Sequence, residues 1–353
     1  MGHQKLLPFS MPPVSKAGML GMLAGAGGGA GTLGMWTELG RAITTGTTDT
    51  ITISDLPNKP YLMVICQGIN SGQINPSLRF NGDSSNNYAR RYSVNGGSDT
   101  TETSQPEIEL SSSTHPQFFY AFIDNYADDE KLVISHSVSR SSAGASAPDR
   151  FQVFGKWDNT SDVISSLTVY NNGSGDFDAD TQVIVLGYDP ADLDTSAWTE
   201  LASVDVSSSD IIDTGTMSTT KKYLMVECFV EHSGSANVRW RFNGVSTGTK
   251  YGDRENYNMG SDATQTANNI DTYSWVADAS TYVIGFIENN ADTEKLCIFN
   301  MASPDSAGAG NPPNFGEIVG KFINTGSQIN QISVNNTTTG DYAKGYLRVW
   351  GMD

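Results

Sequence analysis

The sequence predicts an all-β protein built from two tandem jelly-roll-like antiparallel β-sandwich domains, preceded by an extended Gly- and Met-rich N-terminal arm. Short apolar runs with a period of two residues recur along the chain, and Gly, Ser, Thr, Asn and Asp dominate between them. This alternation of strand formers and turn formers is typical of antiparallel sheets. An internal duplication predicts that the sandwich occurs twice, and 353 residues are enough for two cores.

The charge balance and the rare residue types exclude several classes of function. Asp and Glu total 39 against 21 Lys and Arg, so the net charge is −18. Such a surface repels phosphate backbones, and we therefore expect no nucleic-acid partner. Three cysteines and four histidines exclude a disulfide scaffold and leave few ligands for zinc. The sequence contains no nucleophile elbow, phosphate-binding loop or dinucleotide fingerprint, so we expect no cofactor.

Residues 1–35 differ in composition from the rest of the chain. They contain no Asp or Glu, and their only charged side chains are Lys5 and Lys16. Glycine carries a high ordering cost, while methionine adapts to irregular apolar surfaces, so the segment is predicted to be an arm that becomes ordered on a partner. The apolar residues expected to anchor this arm are Leu6, Leu7, Phe9, Met11, Met19, Leu20, Met22 and Leu23.

Two other interpretations of this segment stay open. One is a disordered leader without a task. The other is a membrane-active segment, because residues 17–35 are uncharged over 19 positions. Nine of those 19 residues are Gly or Thr, however, and we expect no membrane span.

The strongest signal is the internal repeat. Trp36–Leu39 returns as Trp198–Leu201, and Tyr61–Val64 returns as Tyr223–Val226, both with an offset of 162 residues. A period of this length is too long for a solenoid and indicates duplication of a complete domain. The predicted organisation is an arm (1–35), a first sandwich (36–190), a linker (191–197) and a second sandwich (198–353).

The loop after the first Asn-Gly turn is the candidate binding surface. Amide, carboxylate and hydroxyl groups can hydrogen-bond to sugar hydroxyls while an aromatic face packs on the sugar ring. Ordinary loop composition of a β-sandwich is the alternative interpretation. The residues that would face a glycan are Asn81, Asp83, Asn86, Asn87, Tyr88 and Tyr92.

The acidic residues and the cysteines are weaker candidates. Asp176, Asp178 and Asp180 alternate as calcium ligands do, but the segment lacks the turn glycine and the distal Glu of an EF-hand loop. An acidic turn before a strand is the better interpretation, and no metal site is predicted. Cys66 and Cys228 lie at equivalent positions in apolar runs, which favours buried free thiols.

One stretch carries a resemblance to a known group of proteins. Leu78–Tyr88, followed by Arg91-Tyr92 and Asn95–Asp99, resembles virion structural proteins of tailed bacteriophages, especially marine ones. The resemblance covers most of residues 36–353 and implies a duplicated β-sandwich module of the fibre or decoration type. It implies no catalytic residues. In the second repeat Val245–Gly248 departs from the pattern.

The expected function is therefore a non-enzymatic virion component, displayed on the particle exterior as a capsid decoration or a tail or fibre part. Its expected partners are other virion proteins and further copies of itself. The alternatives are a lectin-like tail-fibre module that recognises a cell-surface glycan, and a cellular surface or filament protein. A glycan-cleaving enzyme would need converging carboxylates, and the acids of the two repeats match poorly.

Overall fold

The computed structural model describes residues 36–189, 196–258, 260–272, 280–304 and 313–353. Every regular element in these ranges is a β-strand, and no helix in them is long and apolar enough to cross a bilayer. The predicted anchoring residues between Leu6 and Leu23 lie outside the described residues, as does most of the predicted linker.

The first sandwich consists of an eight-stranded and a four-stranded antiparallel sheet. The larger sheet contains, in spatial order, β1 (Thr37–Ile43), β12 (Gln182–Tyr188), β3 (Tyr61–Gly68), β8 (Gln117–Asp124), β9 (Lys131–Ser139), β10 (Asp149–Trp157), β5 (Tyr88–Val94) and β6 (Thr100–Gln105). The smaller sheet contains β2 (Thr50–Ile53), β11 (Leu167–Asn171), β4 (Pro76–Phe80) and β7 (Ile108–Glu109).

The second sandwich repeats this arrangement strand for strand. Its larger sheet contains β13 (Thr199–Val206), β24 (Asp341–Met352), β15 (Tyr223–Ser233), β20 (Ser280–Glu288), β21 (Lys295–Ser303), β22 (Asn314–Phe322), β17 (Tyr251–Tyr257) and β18 (Ala263–Ala267). Its smaller sheet contains β14 (Ile211–Asp213), β23 (Ile332–Asn335), β16 (Val238–Phe242) and β19 (Ile270–Thr272).

The strand order confirms the predicted fold class. In the first sandwich the order β1-β12-β3-β8 faces the order β2-β11-β4-β7, which is the connectivity of a jelly roll. The larger sheet contains four further strands, β9, β10, β5 and β6, in addition to its four jelly-roll strands. Each sandwich has its own core, in which residues such as Leu78 and Val64 are fully buried in the first and Trp240 and Val226 in the second.

The Asn-Gly pairs that mark the repeats are tight turns with left-handed backbone conformation. Asn81 and Gly82 have φ values of 52° and 70°, and Asn243 and Gly244 have 53° and 67°. Positive φ at both central residues is the geometry of a type I′ turn, which Asn-Gly adopts readily. The side-chain oxygen of Asn81 also accepts the N–H groups of Ser165 and Ser166, so this turn ties β4 to the segment that leads into β11.

A third apolar cluster joins the two sandwiches. It contains outward-facing residues of both large sheets, including Phe118 and Tyr120 from the first sandwich and Met225, Phe286 and Ile298 from the second. The molecule therefore has four layers, in the order four-, eight-, eight- and four-stranded. Because the large sheets are covered on both faces over this area, strands such as β3 are apolar at almost every position rather than at alternate ones.

Candidate functional site

The predicted sugar-facing loop is used mainly for structure. Tyr88 is 1% exposed, and its hydroxyl accepts the N–H of Phe80 at 3.0 Å and donates to the carbonyl of Asp83 at 3.1 Å. The Asp83 carboxylate accepts the indole N–H of Trp157 at 2.8 Å and the amide of Asn87 at 2.9 Å. The Tyr88 ring therefore offers no face to a ligand, and Asp83 is committed to fixing the loop.

The remaining residues of this predicted site do not form a cluster with an exposed aromatic ring. Asn86 is exposed, whereas Tyr92 is half-buried with the Arg90 guanidinium 4.3 Å from its ring centroid. The Tyr92 hydroxyl lies 3.4 Å from Glu102. A glycan surface would have to be built from Asn86 and the edge of Asn87 alone, which gives no stacking platform.

The Asp176–Asp180 segment is an acidic turn in the structure. The backbone carbonyl of Asp178 accepts the Thr44 hydroxyl at 2.5 Å, and Asp180 has a left-handed φ of 67°. Asp176 lies against Asp49, and its pKa is raised through the hydrogen bond between the two carboxyl groups. Among the described residues, no group of three or more His, Cys, Asp or Glu side chains is placed to hold a metal ion.

The cysteines lie in the sandwich cores, where the sequence places them. Cys66, Cys228 and Cys297 are fully buried and free, and burial raises the pKa of each thiol. Thiolates form with difficulty at such positions, so these groups act as apolar core side chains.

The most unusual chemistry in the described part of the chain lies between the sandwiches. The Glu317 carboxylate on β22 contacts two side chains of the first sandwich, the Arg150 guanidinium on β10 and the His136 imidazole on β9. Arg150 also donates to Asp262 at 2.8 Å, and all four side chains are at least nine-tenths buried. Burial alone would raise the pKa of Glu317. Electrostatic attraction to His136 and Arg150, together with the hydrogen bonds to them, outweighs burial and lowers the pKa.

A second polar contact between the sandwiches involves the loop after β9. The Lys321 ammonium donates to the carbonyl of Arg140 at 2.9 Å and to that of Ser142. The Glu294 carboxylate accepts the N–H of Gly144 at 2.8 Å. The two sandwiches are thus joined by an apolar cluster, by buried ion pairs and by a loop with hydrogen bonds to the partner sheet.

Sequence reasoning missed this interface because it treated the domains as separate bodies. The signal that would have revealed it is the uninterrupted apolar run in Tyr61–Ile65 and its repeat at Tyr223–Val226. A strand with one solvated face alternates, whereas these runs do not, and that pattern predicts a sheet covered on both sides.

The interface covers equivalent positions of the two repeats unequally. Leu132 and Ile134 on β9 and Phe154 on β10 are 53%, 45% and 44% exposed and form one apolar area, named here the β9–β10 patch. Ile134 and Phe154 are directly opposite each other in the β9–β10 register. The matching residues of the second repeat are buried at the interface.

The repeats also differ in a buried charge. In the first sandwich the Arg90 guanidinium donates to Glu102 at 2.9 Å and contacts Glu109 at 3.3 Å. The register places Asp253 at the position of Arg90, and Asp253 is fully buried. Its carboxylate accepts the N–H of Asp271 at 3.1 Å.

At this place the second sandwich has three neighbouring acidic side chains, Asp253, Glu255 and Asp271, with little compensating positive charge. Burial, with a smaller contribution from Glu255, raises the pKa of Asp253 well above its ordinary value. Burial and the charge of Asp271 raise the pKa of Glu255 to about 7. One oxygen each of Asp253, Glu255 and Asp271 has no hydrogen-bond partner within the described residues. Asp271 pairs with Arg239 at 2.9 Å through its other oxygen.

Comparison with known proteins gives no relative. No protein-family profile matches the chain, and no curated protein matches it.

Several solved structures align over much of the chain, but weakly. A laminin α2 fragment, LG1–3, aligns with a TM-score of 0.21 and 7% identity over 86% of this chain and 64% of that one. Human GIVD cytosolic phospholipase A2 aligns with a TM-score of 0.15 and 8% identity over 83% of this chain and 33% of that one. The outer membrane protease OmpT from Escherichia coli aligns with a TM-score of 0.12 and 10% identity over 84% of this chain and 98% of that one. The chain thus spans less than two thirds of the first two proteins, and these scores support no functional argument.

Proposed function

We propose that this protein is a non-enzymatic structural component of a virion, displayed on the particle exterior and attached through residues 1–35. The observation that carries the proposal is the contrast between two parts of the chain. Residues 1–35 carry +2, so residues 36–353 carry −18 − 2 = −20. The acidic part is a four-layer body, whereas the arm is near-neutral and rich in Met and Leu.

The physical reasoning concerns what each part does in water. A strongly acidic body stays hydrated and resists self-aggregation. An apolar arm lowers its free energy by burying surface against a larger assembly. The shared apolar cluster and the Arg150–Glu317 pair hold the two sandwiches together, which suits a protein that projects from a surface. The larger assembly is proposed to be a virion because Leu78–Tyr88 resembles virion structural proteins of tailed bacteriophages.

The experiment is incorporation into particles. A chain lacking residues 1–35 is expected to fold with native circular dichroism and to be absent from purified virions. A second variant, in which Met19, Leu20, Met22 and Leu23 are replaced by Ser, is expected to behave likewise. The matched control is Thr32→Ser, which removes one methyl group and leaves every Met, Leu and Phe side chain of the arm in place. Normal incorporation of the truncated chain would overturn the anchoring role.

Immunogold labelling of intact particles with antibodies to residues 36–353 tests the exterior location and separates head from tail. If opened particles are labelled and intact particles are not, display on the outside is contradicted. Failure to find the chain in any particle would favour the cellular surface or filament alternative.

Glycan recognition is the alternative function, and the structure gives it less support than the sequence did. Its proposed aromatic, Tyr88, is buried and hydrogen-bonded within the loop. Binding of the full chain to a glycan array, lost on Asn86→Ala, would be the result in its favour.

A further inference from the structure

We propose that the β9–β10 patch of the first sandwich binds a second copy of this chain. Scattered exposed apolar side chains are normal, but a contiguous group on one sheet face marks an interaction surface. Leu132, Ile134 and Phe154 project from the outer face of the large sheet, the same face that packs against the second sandwich.

The second repeat shows how this face is buried when a partner is present. The strand registers make Leu296, Ile298 and Val319 the equivalents of the three patch residues. Their exposures are 1%, 0% and 0%, because the outer sheet face of the first sandwich covers them. These three positions are thus covered by a sandwich of the same fold in the second repeat and exposed in the first.

The patch is continuous with the established interface. Phe122 on β8 is opposite Ile134 in the register, is half-buried, and lies 6.4 Å from Phe286 of the second sandwich between ring centroids. A partner on the patch would therefore extend an existing apolar layer and would not have to create a separate one.

The local charge also permits two copies to approach. The chain as a whole carries −18, so most contacts between copies are repulsive. Two ion pairs flank the patch. Lys156 binds Glu130 at 2.9 Å, and Arg91 contacts Asp99 at 3.3 Å. Each of these pairs is neutral in sum, and the patch residues between them are apolar.

This inference goes beyond the proposed function, because it concerns a contact between copies wherever the protein is located. The arm is expected to attach the chain to other virion proteins, whereas the β9–β10 patch is expected to bind a second copy of the chain. The two therefore fail independently.

The test measures self-association of the full chain by sedimentation equilibrium at low salt and at 0.5 M salt. Contacts that bury less than ~1,200 Å² are generally weak, so we expect a dissociation constant on the order of 1–100 µM. Because the contact is apolar, raising the salt concentration should not weaken it. The double change Ile134→Lys with Phe154→Lys should raise the dissociation constant at least ~10-fold, since it places charges in a desolvated contact.

Ile211 provides the matched control. It is 48% exposed on β14, outside the patch, so Ile211→Lys makes the same kind of change without touching the proposed contact. Circular dichroism should show that all variants are folded. Unchanged association of Ile211→Lys with loss in the double variant supports the proposal.

A spin label at Leu132→Cys locates the contact, because Leu132 is exposed and the three native cysteines are buried. A short intermolecular distance between labels, or broadening that depends on concentration, supports the patch as the interface. A wild-type chain that stays monomeric over this concentration range overturns the proposal. So does association that survives the patch changes and is abolished by removing residues 1–35, a result that leaves the anchoring role intact.

Discussion

The guanidinium of Arg150 in the first sandwich and the carboxylate of Glu317 in the second form an ion pair that is almost fully buried. Their strands, β10 and β22, are equivalents in the two repeats, yet the pair occurs once. The equivalent of Glu317 in the first repeat is Gln152, and the equivalent of Arg150 in the second is Phe315. The duplicated strands have thus diverged into two complementary surfaces.

Removing the cation from this pair is expected to destabilise the molecule strongly. Arg150→Met removes the buried guanidinium that Glu317 and Asp262 both contact, and breaking a buried pair in this way typically costs about 3–5 kcal/mol. The free energy of unfolding in urea measures the effect. Arg91→Met is the control, because the Arg91–Asp99 pair is exposed and such pairs contribute about 0–1 kcal/mol. Equal losses in both variants would contradict a special role for the buried pair.

The buried acids of the second sandwich predict a pH dependence of stability. In the folded chain the pKa of Asp253 is raised, and that of Glu255 is raised to about 7, against about 4 when unfolded. Between these two pKa values the folded state binds more protons than the unfolded state. The stability that the protonated acids contribute is therefore lost as the pH rises from about 4 through 7.

The variant Asp253→Asn isolates this effect. It keeps the position neutral at every pH, so its unfolding free energy should fall less than that of the wild type between pH 5 and pH 8. Asp205→Asn, which changes an exposed carboxylate, is expected to follow the wild type. An Asp253→Asn slope identical to that of the wild type is the contrary result.

A methyl group at Gly252 is expected to disturb the interface. A Cβ there would lie 2.4 Å from the carbonyl oxygen of Ala145 and 2.5 Å from that of Ser146. Both are backbone atoms of the first sandwich, which cannot rotate away, so Gly252→Ala should cost about 1–3 kcal/mol. The equivalent position in the first repeat holds Ala89. Gly46→Ala, with no atom within 4 Å of its Cβ, should be neutral.

Loss of the Tyr88 hydroxyl should lower the free energy of unfolding and leave the glycan-array signal unchanged. In Tyr88→Phe the buried N–H of Phe80 has no acceptor, which typically costs about 1–3 kcal/mol. Thermal unfolding measures this change. Tyr126→Phe is the control, because the Tyr126 hydroxyl lies near the surface and binds the Tyr61 hydroxyl at 3.2 Å. A glycan-array signal lost in folded Tyr88→Phe would instead support the loop as a sugar site.

The sequence predicted the fold class well because its signals are local. The Asn81-Gly82 turn and the strand at Tyr61 follow from turn chemistry and from apolar patterning within a few residues. The candidate site was harder to predict. Tyr88 was expected at the surface because its neighbours are polar, and it is buried because its hydroxyl fits between Phe80 and Asp83. No pattern in the neighbouring residues distinguishes these two outcomes.

The sequence by itself determined that the chain is all-β, that the sandwich occurs twice, and that residues 36–353 are acidic whereas residues 1–35 are near-neutral. Composition, period and self-similarity carry this information without reference to distance in space. Only the tertiary structure decided that the two large sheets pack face to face, that Glu317 meets Arg150 and His136, and that Leu132 and Ile134 stay exposed while Leu296 and Ile298 are covered. The reason is that burial of a residue in one repeat depends on where the other repeat docks, and similar strands then experience different surroundings.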